Sequence, residues 1–88
     1  MDHMFSNAIY RGRTDKGITQ RELALLVHVS LGYVSRVETG EIPGPETMRE
    51  LAAALDMDLQ TLKEMAYHQS LGAAKERLRK RFGVRDDT

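Results

Sequence analysis

The sequence predicts an all-α fold: five short helices around one core, with an extra amphipathic helix toward the C-terminal end. Three observations carry this. Apolar residues recur every three or four positions along nearly the whole chain. Helix caps and stops punctuate them at short intervals. No stretch alternates apolar and polar residues as a half-buried strand would.

The first helix is read from Phe5, Ala8 and Ile9, with Ser6 or Asn7 as its cap, and it runs to about Lys16, where Gly17 stops it. Thr19 and Glu22 then form a T-x-x-E capping box, and Leu23, Ala24 and Val27 give the apolar stripe of a second helix over about 20–27. Ser30 caps a third helix over about 30–39, with Val34 and Val37 on one face and Gly40 at its end. Pro45 suits the first turn of a fourth, where its missing N–H is not needed, and Met48, Leu51, Ala52 and Leu55 form its stripe. Asp58 caps a fifth carrying Leu59, Leu62, Met65 and Ala66. Leu71, Ala74, Leu78 and Phe82 then mark a segment whose other face is Lys75, Arg77, Arg79, Lys80 and Arg81, with Gly83 as its stop. The chain divides accordingly into residues 1–68 and a basic amphipathic segment with tail, residues 69–88.

Composition excludes several classes. At 41% hydrophobic and 30% charged, 88 residues make one globular domain, too apolar for disorder and too small for a deep catalytic cleft. The absence of cysteine removes disulfides and thiolate metal sites, which fits a reducing cytoplasm. The apolar run Leu23 to Val27 is far short of the roughly 20 residues a membrane span needs, and the first residues lack a signal-peptide pattern. His3, His28 and His68 are scattered, and no motif joins a nucleophile, a base and an oxyanion donor. A cytoplasmic non-enzyme without metal or cofactor is the expectation. Net charge is zero, but residues 1–68 carry −3 and residues 69–88 carry +3, so one side can be positive while the molecule is neutral.

Two short capped helices, about 20–27 and 30–39, joined by a turn of about three residues, cannot lie antiparallel. They cross steeply, and the second can project into a DNA major groove. Lys16 through Ala24, then Val29-Ser30, Tyr33 through Glu38, Gly40, Pro43, Thr47 and Leu51 through Leu55 resemble the lambda-repressor-like class of helix-turn-helix regulators, also called the xenobiotic-response-element family. The similarity spans about residues 5–66 and is more specific for the fold than for the target.

The resemblance implies a five-helix DNA-binding domain, and it places Leu31, Gly32, Ser35 and Arg36 toward base edges. It places Gln20, Ser30 and Thr39 at the phosphate backbone, with Thr19 and Tyr33 as further backbone candidates; Tyr33 is equally suited to packing. Arg13 and Glu38 match a structural ion pair linking the first helix to the third. The implied partner is double-stranded operator DNA, bound by a homodimer.

There are three departures from the family pattern, at four positions: Gly12 replaces a usual leucine, His28 a usual turn glycine, and Leu25 and Leu26 usual polar residues. The two leucines point to an apolar contact with the C-terminal helix or a second subunit. Segment 71–82 is open among three roles: a cover for the core, a dimerisation helix, or a basic arm on DNA. A rival class is a protein-interaction module, an antitoxin or bridging factor, favoured by neutral charge, sparse base-reading chemistry and exposed leucines.

Overall fold

The computed structural model describes residues 3–82, the last of them in its backbone alone. Five α-helices follow in order: α1 Met4–Asp15, α2 Gln20–Leu26, α3 Leu31–Glu38, α4 Pro45–Ala54 and α5 Leu59–Phe82, with no strand among the described residues. The all-α expectation holds. The C-terminal segment is helical, as the stripe from Leu71 predicts, but it continues α5 unbroken; nothing between residues 66 and 71 supplies a helix stop. The Gly83 stop and the Phe82 side chain lie outside the described residues.

Each of the first four helices ends in the same way. The residue after the C-cap is left-handed, and the next N–H bonds back to a carbonyl five residues earlier. The left-handed positions are Gly17 (φ 71°), His28 (61°), Gly40 (136°) and Asp56 (54°). The closing bonds are Ile18 N–H to Arg13 O at 3.3 Å, Val29 to Ala24 at 3.0 Å, Glu41 to Arg36 at 2.9 Å and Met57 to Ala52 at 2.9 Å. Only two of the four positions are glycine. Short polar or imidazole side chains tolerate this region better than most, which accounts for His28 and Asp56.

The starts follow local chemistry with one exception. The Thr19–Glu22 box is complete: Glu22 N–H donates to Thr19 Oγ1 at 3.0 Å, and Thr19 N–H donates to Glu22 Oε1 at 2.7 Å. Ser30 Oγ accepts from Tyr33 N–H, and Asp58 Oδ2 accepts from Thr61 N–H and Oγ1. These bonds hold the Asp58 carboxyl below its ordinary pKa, and the bond from Lys16 does the same for Asp56. Stabilisation from both is present above the ordinary aspartate range and is lost as pH falls through the lowered values.

The exception is α1. Its N-cap is His3, which makes no side-chain cap bond, and neither Ser6 nor Asn7 caps; both lie inside the helix. The free Ser6 N–H is satisfied instead by Gln69 Oε1 at 3.0 Å, from α5. The Gln69 amide nitrogen donates at 3.0 Å to Ser6 Oγ and to Gly40 O. Ser6 and Gln69 are both buried. A helix end with no cap of its own is closed by a residue 63 positions away.

Phe5 and Ile9 of α1, Leu23 and Val27 around α2, Val34 and Val37 of α3, Leu51 and Leu55 around α4, and Leu62 and Ala66 of α5 meet in one core. Each large side chain contributes roughly 1.5–3 kcal/mol by leaving water. Gly12 has a packing reason: a Cβ there would lie 3.2 Å from Met57 Sδ and 3.4 Å from Leu55 Cδ1, so α1 approaches the α4–α5 turn too closely for the expected leucine. Core cover by α5 stops at Gln69, since Leu71 and Leu78 are exposed and join no cluster. Leu25 and Leu26 are 72% and 56% exposed, so α5 does not shelter them either.

Two substitutions test this layout. Gln69→Leu leaves Ser6 N–H and Gly40 O without partners, and the urea midpoint is expected to fall by the equivalent of about 2–4 kcal/mol at unchanged m-value. His28→Gly removes left-handed strain, and Tm is expected to rise by about 2–6 °C, whereas β-branched His28→Val should lower it.

Candidate nucleic-acid interface

The centre of the candidate site is the Glu38 carboxylate at the end of α3. Arg13 Nε donates to Glu38 Oε2 at 2.6 Å, and Arg13 Nη2 donates to Oε1 at 3.1 Å. Gln20 Nε2 donates to the same Oε1 at 2.9 Å. The third arm of the guanidinium, Nη1, donates to Ile18 O at 2.9 Å. The side chains of Arg13 and Glu38 are 11% and 4% exposed, so this is a shielded fork between α1 and α3 with α2 hung upon it. The bond from Arg13 to Glu38 raises the guanidinium pKa further, so no accessible pH discharges Arg13.

That fork and the buried pair Val34–Val37 fix which face of α3 looks outward. Leu31, Gly32, Ser35 and Arg36 lie on the exposed face. Arg36 is not a loose side chain. Its Nε donates to Glu41 Oε1 at 3.0 Å, and its guanidinium carbon stands 5.4 Å from the centroid of the Tyr33 ring. Tyr33 is half-buried and packs against the core, so its ring serves as a floor for that cation.

The backbone candidates divide. Thr19 and Ser30 use their hydroxyl oxygens as caps but keep an O–H to donate at the starts of α2 and α3. Gln20 is half-buried and already gives one amide hydrogen to Glu38. Thr39 differs: its hydroxyl donates back to the carbonyls of Ser35 and Arg36 at 3.0 and 3.2 Å, so its proton is spent within the helix.

Two residues outside the sequence-derived set matter here. Glu41 holds Arg36, and Gln69 ties α5 to the carbonyl of Gly40, at the end of α3. Gln69 has no local signature, whereas Glu41 could have been found from the Gly40 helix ending, which brings the residue after the glycine back beside Arg36. Among the described residues, no three His, Cys, Asp or Glu gather closely enough to hold a metal ion, and no helix is long and apolar enough to cross a membrane.

Comparison with known proteins agrees with this geometry. Residues 9–62 match the helix-turn-helix family, from the middle of α1 into α5. The crystal structure of the clp gene regulator ClgR from Corynebacterium glutamicum is similar at 32% identity and TM-score 0.65, over 89% of this chain and 85% of that one. No curated protein matches the chain.

The Glu38 fork is testable by removing one side and then both. Glu38→Ala strands a shielded guanidinium and is expected to cost about 3–5 kcal/mol in urea unfolding, with the Arg13→Met/Glu38→Leu double variant costing less than the single. A loss below about 1 kcal/mol for Glu38→Ala would mark the pair as an ordinary surface bridge.

Proposed function

The chain belongs to the helix-turn-helix family, a class of DNA-binding transcription regulators, and from that premise we propose that it is a sequence-specific repressor that binds palindromic operator DNA as a homodimer. The observation that carries the reading is the outward face of α3. Leu31, Ser35 and Arg36 are exposed on a helix whose opposite face is held in the core and whose end is held by Glu38. A rigid helix offering one forked cation and small neighbours suits a major groove, where Arg can donate twice to guanine O6 and N7. Leu31 is placed to touch a thymine methyl, and Gly32 lets the backbone approach closely.

Thr19, Gln20 and Ser30 lie at the starts of α2 and α3, where they would bond phosphates and set the register. Two-fold symmetry would place the α3 helices of a dimer about 34 Å apart, one turn of DNA. The exposed Leu71 and Leu78 on distal α5 support a second protomer, and the run of Arg77, Arg79, Lys80 and Arg81 on the same segment supports added phosphate contacts. In this reading the DNA-binding unit drawn from the sequence as residues 1–68 extends through Gln69, whose side chain holds α1 and the end of α3. The rest of 69–88 is the appended segment, in a cytoplasmic protein whose work is binding rather than catalysis. The structure of ClgR, a gene regulator, supports the regulatory role.

One observation favours a second reading. Leu25 and Leu26 present side chains 72% and 56% exposed on α2, an apolar pair that suits a protein partner and so an antitoxin-like or bridging role. The two roles are compatible.

Binding to DNA selected from a random pool separates the residue roles. Arg36→Ala is expected to lose about 1–3 kcal/mol on the selected site and little on random DNA, while Gln20→Ala weakens both more evenly. Equal losses from Arg36→Ala on the two DNAs would contradict base reading.

A further inference from the structure

We propose that Glu41 is a positioning residue for Arg36, and that Glu41, Tyr33 and Gly32 together form a cradle that presents the terminal edge of the guanidinium to a G·C base pair. The inference rests on the DNA-binding reading above and adds a residue and a base preference to it.

The juxtaposition begins in the backbone. Glu41 N–H closes α3 by bonding Arg36 O at 2.9 Å, with Gly40 at φ 136° turning the chain back. This termination brings the side chains of the two bonded residues together, a place usually filled by an apolar contact. Here it holds an ion pair, with Arg36 Nε 3.0 Å from Glu41 Oε1. The partners are 60% and 40% exposed, so the pair adds little to stability. Its effect is geometric.

Three surfaces constrain the guanidinium. Glu41 takes Nε, the Tyr33 ring lies 5.4 Å from Cζ, and Nη1 lies 3.7 Å from where a Cβ on Gly32 would stand. Alanine at 32 would meet ordinary contact; a longer side chain would compete for the cation's place. With Nε engaged, the hydrogens on Nη1 and Nη2 remain for O6 and N7 of guanine. A flexible Arg would have to be ordered on binding, and holding it beforehand spares that cost. The carboxylate also repels phosphates, which penalises DNA on which the arginine finds no base partner. Glu41 would therefore trade general affinity for discrimination.

The test uses the full chain and the DNA site selected by the unaltered protein, compared with the same site carrying A·T in place of each candidate G·C pair and with random DNA. The unaltered protein is expected to prefer the selected site over its G·C-to-A·T variant roughly five- to hundredfold, and Arg36→Ala to erase that preference. Glu41→Ala is expected to keep its thermal stability and lose discrimination roughly two- to tenfold, while binding random DNA more tightly. Glu41→Gln removes the same charge but keeps an oxygen that can accept from Nε, so it should recover part of the discrimination and keep the tighter random binding. Unchanged discrimination in Glu41→Ala, with Arg36→Ala still losing it, would overturn the cradle and leave the DNA reading intact. Unchanged discrimination in Arg36→Ala would overturn the cradle together with base reading by Arg36, and absence of any selected site would overturn both the cradle and the DNA reading.

Discussion

The structure depends most on one buried carboxylate. Glu38 cannot be stripped of water alone, because an unpaired buried charge costs several kcal/mol. Its two oxygens are met by Arg13 from α1 and Gln20 from α2, and the remaining arm of Arg13 reaches the carbonyl of Ile18 in the turn between them. Satisfying that one group fixes the angle of α3 against the two helices before it. The exposed face of α3 is therefore set by a polar constraint at its end and an apolar one, Val34 and Val37, along its side.

A second constraint spans the length of the chain. Gln69 of α5 closes the start of α1 and bonds Gly40 O, the left-handed residue that ends α3. The same Gly40 turn carries Glu41 into contact with Arg36. Arg36, the charged residue on the exposed face of α3, is thus linked through short steps to the α1–α5 contact. The distal half of α5 takes no part in this and leaves Leu71 and Leu78 uncovered.

What was legible in the sequence was local. Thr19–Glu22, Ser30, Pro45 and Asp58 each signal a helix start with a partner within three residues or with no partner at all, and all four stand where the pattern placed them. Gly17 and Gly40 mark stops for the same reason. The cap of α1 was not legible, because its acceptor lies 63 residues away and Ser6 looks like a cap while serving as a buried partner. Asp56 was hidden among acidic residues, although it adopts the same left-handed turn as the glycines. Gly12 reads as a weak helix position until Met57 is seen 3.2 Å from its missing Cβ. The candidate interface positions came from resemblance to other helix-turn-helix chains. Glu41 was not among them; its contact follows from the backbone turn at Gly40 that ends α3.

The most direct measurement is selection from a random DNA pool with the purified full chain, followed by affinity for the recovered sequence against salt. The account predicts enrichment of an inverted repeat with half-sites about one turn apart, G·C pairs within each half, and affinity that falls steeply as salt rises. A pool that remains random, or an affinity indifferent to salt, would contradict it.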